Sequence, residues 1–116
     1  MGIGHDDSKM NTFEEFQALA TRVPLSLRNN RDRLNLPATG LQEEAGKIGS
    51  LLARASASGN FNLTQEQRGE LQERLSDILW YVALLCGESG IAMKDVAAHG
   101  IAQLQARARE LDPDQR

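Results

Sequence analysis

The sequence is poor in several things a fold or a function often relies on. Aromatic residues are scarce, with three Phe, one Tyr and one Trp in 116 residues. Cys86 is the single cysteine, which excludes an internal disulfide and fits a reducing compartment such as the cytoplasm. No apolar stretch approaches the roughly 20 residues of a membrane span, so no membrane partner is expected. There is no long basic run, and the formal charge is −3, which argues against nucleic acid as a partner. No signal peptide is read at the start. The three prolines fall at apparent junctions. What is abundant is Ala, Leu, Gln, Glu and Arg, all good helix formers, and the 41% hydrophobic content suffices for one core.

Hydrophobic spacing predicts four helices. Phe13, Phe16, Leu19 and Ala20 mark a first helix from about Thr12 to Val23, stopped by Pro24. A polar stretch from Leu25 to Leu36 leads to Pro37, which suits a first helical turn, although a helix starting earlier and bending there is also open. The second helix is expected from Pro37 to Ala57, with Leu41, Glu44, Ile48, Leu51 and Ala55 on one face. Gly40, Gly46 and Gly49 lie within it and suggest close approach of a neighbouring helix.

A loop follows by composition. Thr64 and Gln67 then read as a capping box. The third helix carries a seam of Leu71, Leu75, Ile78, Val82 and Leu85, and beside it a stripe of Glu73, Asp77, Trp80 and Leu84. Gly90 ends it. A fourth helix from about Met93 to Leu111 turns Val96, Ile101 and Leu104 inward. Residues 12–111 thus form one all-α, four-helix bundle-type domain, with tails at 1–11 and 112–116. The third helix has more apolar surface than one small bundle covers, which points to a homodimer or homotetramer.

The chemistry lies in the acids placed where the pattern expects Leu. Glu44 shares a face with Leu41, Ile48 and Leu51. Asp77 shares one with Glu73, Trp80 and Leu84, and Glu70 lies two turns before it. Carboxylates in such positions are costly unless paired, protonated or bound to a cation. A salt bridge between helices and a metal site both satisfy that requirement.

The strings Gly40-Leu41-Gln42-Glu43-Glu44-Ala45-Gly46-Lys47 and Leu75-Ser76-Asp77-Ile78-Leu79-Trp80-Tyr81 resemble the MazG-like nucleotide pyrophosphohydrolase family. Phe13-Glu14-Glu15-Phe16-Gln17 is similar to that family's opening helix, and Gly90 to Val96 to the start of its last helix. The similarity runs from about Phe13 to Arg107. It implies an all-α MazG-like fold, a dimer or tetramer, and Mg²⁺-dependent hydrolysis of nucleoside triphosphates to monophosphate and pyrophosphate. The family's metal motif is Glu-x-x-Glu on one helix and Glu-x-x-Asp on the next. Carried onto this sequence, its ends fall on Glu44 and Asp77, while its two inner acids fall on Lys47 and Arg74. The family's Asn-x-x-Lys in the last helix falls on Gly100 and Gln103.

Four acids would offer Mg²⁺ a formal charge of about −4. Glu44, Asp77, Lys47 and Arg74 together offer none. The expectation is therefore a degenerate site in which the two cations pair with Glu44 and Asp77 in place of metal. Glu43, Glu70 and Glu73 are the acids that could form a shifted metal site. Alternatively, Lys47, Arg74 and Arg54 could contact the phosphates of a bound nucleotide without turnover.

Overall fold

A computed structural model of the chain describes residues 12–23, 29, 31–57, 59 and 62–111. Among these the fold is all-helical, with four helices and no strand: α1 Phe13–Ala20, α2 Asp32–Ala57, α3 Gln65–Glu88 and α4 Met93–Leu111. The expected tails, Pro24 and most of the 25–30 stretch lie outside the described residues.

Local chemistry sets the helix ends. Thr12 caps α1 by accepting from the Glu15 amide at 3.1 Å. The capping box of α3 is complete: Thr64 Oγ1 accepts from the Gln67 amide at 3.1 Å, and the Gln67 side chain accepts from the Thr64 amide at 2.9 Å. At the other end Gly90 has φ +72°, and the Ile91 amide donates to the Cys86 carbonyl at 2.8 Å. That is a Schellman closure, which needs a residue free to adopt a left-handed backbone. Gln17 then clamps α4 onto α1, its Nε2 donating to the Ile91 carbonyl at 3.0 Å and its Oε1 accepting from the Met93 amide at 2.9 Å. The amide it satisfies is one of the orphan donors at the start of α4.

The second helix starts at Asp32, not at Pro37, which lies inside it. The proline gives up the bond its amide would have made to Arg33, and the ring is fully buried in return. α2 packs on α3 as an antiparallel hairpin whose register is fixed by three contacts. Arg33 reaches Glu88 at 3.6 Å, Arg74 reaches Glu44, and the Tyr81 ring covers Gly40. α1 and α4 pack on α3 and on each other. Their junction holds one small core, Ala20, Ala83, Cys86 and Met93, with Phe16, Trp80 and Val82 against it.

Two expectations need correction. Val96, Ile101 and Leu104 do not turn inward; all three are exposed, because α4 touches the rest of the protein only through its first turns. Of the glycines in α2, only Gly40 marks a close approach. A Cβ at Gly40 would lie 2.5 Å from Tyr81 Cζ, whereas Gly46 and Gly49 have nothing within 4 Å. The α3 seam is likewise only partly covered, with Leu75 exposed and Leu71, Ile78, Val82 and Leu85 intermediate.

Candidate functional site

The α2–α3 hairpin brings together the four positions at which the sequence placed its acids and bases. Glu44 faces α3 and is 4% exposed, as its place between Leu41 and Ile48 requires. A carboxylate this deep needs cationic partners, and two are present. Arg74 Nη1 donates to Glu44 Oε1 at 3.0 Å and to Oε2 at 3.4 Å across the helices. Lys47 Nζ donates to Glu44 Oε2 at 3.1 Å from the next turn of α2. The Arg74 guanidinium is itself 20% exposed, with Nη1 3.8 Å from Asp77 Oδ2 and Nη2 3.9 Å from Glu73 Oε1.

The pair distributes charge unevenly. Burial alone would push the Glu44 carboxyl up. The Lys47 hydrogen bond and the positive charges of Arg74 and Lys47 outweigh it and hold Glu44 below its usual range. Burial also opposes the charge on Arg74, but Glu44 more than restores it and raises the guanidinium pKa. Asp77 goes the other way. Burial, the Glu44 negative charge and a hydrogen bond to Glu44 push it up against the pull of Arg74. Tyr81 is half-buried, and its partial burial and the negative charges of Glu44, Asp77 and Glu43 raise it as well.

Beside the pair runs a groove of about 580 Å³ lined by Glu43, Gly46, Lys47, Ser50, Arg54, Glu70 and Arg74. Arg54 Nη2 and Glu70 Oε2 close one end at 3.3 Å. A second, more apolar hollow of about 330 Å³ lies on the other side of Asp77, between α1 and α3, with Trp80, Phe16 and Leu19 on its walls.

The acids considered for a shifted metal site are dispersed. Glu70 is engaged with Arg54, Glu73 is largely in solvent, and Glu43 is exposed on the groove rim. Among the described residues no group of three or more Asp, Glu, His or Cys is placed to hold a metal ion. The donor set does not fit Mg²⁺, because a guanidinium nitrogen lies within 4 Å of both Glu44 and Asp77 and the four charges cancel. Gly100 and Gln103, where the resembled family has Asn and Lys, stand on α4, with Gln103 exposed.

No protein-family model matches the sequence, and no solved structure matches it. The Gene 37 protein of Mycobacterium phage L5 is similar. It is 34% identical over 68 residues, which are 59% of this chain and 60% of that protein. The chain thus spans less than two thirds of the length of this curated relative. The name of the phage protein states no activity. Among the described residues no single helix is long and apolar enough to cross a membrane.

The sequence reading expected a close approach at Gly40 but did not name its partner, the Tyr81 ring, and it missed Ser50, which lines the groove. Gly40 lies one turn before Glu44 and Tyr81 one turn after Asp77, so the spacing of four was the available clue.

Proposed function

We propose that the chain is a MazG-like homologue of nucleoside triphosphate pyrophosphohydrolases with a degenerate metal site, in which hydrolysis is weak or lost. The observation that carries this reading is the place of Arg74, donating to Glu44 between the two carboxylates that the resemblance assigns to metal binding. A neutral cluster has little electrostatic reason to collect a dication. Without a metal, nothing here lowers the pKa of an attacking water. No clear general base stands beside it either, since Asp77, the second carboxylate of the cluster, faces a guanidinium.

A second reading is a non-catalytic nucleotide-binding or protein-interaction module. Its support is the groove, where Lys47, Arg54 and Arg74 bring three positive charges against the two negative charges of Glu43 and Glu70. Phosphate oxygens can compete with Glu44 and Glu70 for those arginines, since a guanidinium grips phosphate with two parallel hydrogen bonds.

The test is a panel of nucleoside triphosphates assayed for pyrophosphate release with Mg²⁺ and Mn²⁺, and for binding in EDTA. Slow or undetectable release fits the degenerate site. Binding in EDTA that Arg54→Ala weakens adds the nucleotide module; no binding leaves the protein-interaction module. Rapid metal-dependent release by the wild-type protein would contradict the reading.

A further inference from the structure

The hollow between α1 and α3 is built by a contrast of side-chain size. On α1, Phe16, Leu19, Ala20 and Val23 share one face at helical spacing. On α3, Ser76, Asp77 and Trp80 do the same. Ala20 and Ser76 are small, and between the larger Phe16 and Trp80 they leave a space of about 330 Å³. That is the small end of the range for ligand pockets.

The walls are apolar and carry one charge. Among the described residues that line the hollow, Asp77 is the only ionised side chain, and none is Lys, Arg or His. The Arg74 guanidinium is engaged elsewhere: it donates to Glu44 and lines the opposite groove. Its contact with Asp77, at 3.8 Å, is too long for a hydrogen bond. Asp77 therefore keeps acceptor capacity, and 42% of its side chain is exposed. Glu73, one turn earlier on the same face of α3 and largely exposed, adds negative charge on that side.

Charge and polarity together select the ligand. An anion would meet a carboxylate and no cation. A neutral apolar molecule would desolvate the carboxylate without answering it. A cation with an apolar body satisfies both parts of the site. Its ammonium group can donate to Asp77, and aromatic rings such as Trp80 and Phe16 attract positive charge while they cover apolar surface. Leu19 and Val23 are both exposed, so apolar wall remains to be covered.

We propose that this hollow is a binding site for a small organic ammonium ion with an aromatic or branched aliphatic body. Asp77 and the Ser76 hydroxyl accept from the ammonium group, and the body lies among Phe16, Leu19, Val23 and Trp80. The site is on the far side of Asp77 from Lys47 and Arg54 and needs neither metal nor phosphate. The inference therefore stands without the nucleotide reading.

Trp80 is the single tryptophan, so its fluorescence reports on the hollow. The probes are phenethylammonium, the neutral phenethyl alcohol and the anionic hydrocinnamate, each titrated at neutral pH in EDTA. Phenethylammonium should give a saturable change with a Kd on the order of millimolar. The alcohol should bind at least about 10-fold more weakly, and hydrocinnamate should not bind. Asp77→Asn should bring the ammonium and the alcohol to within about threefold of each other, with the helical circular dichroism unchanged. No saturation by phenethylammonium at tens of millimolar, equal binding of ammonium and alcohol by the wild type, binding of hydrocinnamate as tight as that of the ammonium, or an undiminished preference in Asp77→Asn would each overturn the proposal. Should Asp77→Asn unfold, the amide spectrum of the wild type decides. Phenethylammonium should shift Phe16, Leu19, Ser76 and Trp80 and leave Ser50 and Arg54 in place. Shifts in the groove without shifts in the hollow, or no shifts at all, would overturn the proposal.

Discussion

Arg74 and Glu44 stand 30 residues apart in sequence and meet at 3.0 Å across the α2–α3 hairpin. The contact does two things at once. It satisfies a carboxylate that the helix pattern drives into the protein, and it sets a guanidinium beside Asp77, where a second acid would otherwise face the first. Together with Lys47, it changes what would be a site of accumulated negative charge into a neutral one.

Removing Arg74 should therefore hurt more than removing Lys47. Arg74→Ala leaves Glu44 buried with one exposed partner, and an uncompensated buried charge is among the costlier lesions a core can carry. The expected outcome is a fall in Tm of roughly 5 °C or more. Lys47 is 55% exposed, so Lys47→Ala should change stability by less than about 0.5 kcal/mol. Thermal melts of the two variants side by side check the ranking, and equal losses would place the weight of the site elsewhere.

Gly40 and Tyr81 offer a cleaner cycle. Gly40→Ala forces a methyl within 2.5 Å of the tyrosine ring and should destabilise by about 1–3 kcal/mol. In a Tyr81→Ala background the same change meets no ring, and alanine's better helix propensity should make it neutral or stabilising by up to about 1 kcal/mol. Urea unfolding of the four proteins measures the coupling. Additive effects would mean that the ring is free to move aside.

The two carboxyls should give opposite pH dependences. Glu44 has a depressed pKa in the fold. Its contribution is present above the ordinary glutamate value of 4.5 and is lost as pH falls through the lower folded value. Asp77 is raised in the fold. Its contribution is present below the ordinary aspartate value of 3.8 and is lost as pH rises through the higher folded value. From pH 3 to 6, then, the wild type should gain stability relative to Glu44→Gln and lose it relative to Asp77→Asn. Denaturant titrations at each pH check both signs. Parallel curves for wild type and Asp77→Asn would mean that Asp77 ionises as it does in water.

Much of this arrangement was legible beforehand. Thr64 and Gln67 announced the start of α3 through their own hydrogen bonds, and Gly90 its end, because local chemistry decides both. Glu44 was legible as a buried acid because periodicity says which residues share a face. Periodicity does not say whether the chain itself covers that face. For that reason Ile101 and Leu104 were placed inward and are exposed. It is also blind to which of several glycines a neighbour approaches. Gly40 depends on a tyrosine 41 positions away, and Gly49 looks the same in sequence with nothing against it. Pro37 misled for another reason: burial of its ring offsets a lost hydrogen bond that a local reading counts in full.

The packing between α2 and α3 should rest on Leu51, which is fully buried. Leu51→Ala should cost about 2–5 kcal/mol, and Leu52→Ala, one position on and exposed, should cost far less. Chemical denaturation of the two variants makes that comparison. Similar losses at both positions would contradict the orientation of α2.

The central claim is that cationic side chains hold the place of a metal, and a calorimetric titration of Mg²⁺ into the protein tests it most directly. Wild type should give no saturable heat, while the Lys47→Glu, Arg74→Glu variant, with four acids on the facing helices, should bind the ion. Saturable micromolar binding by the wild type would contradict the account.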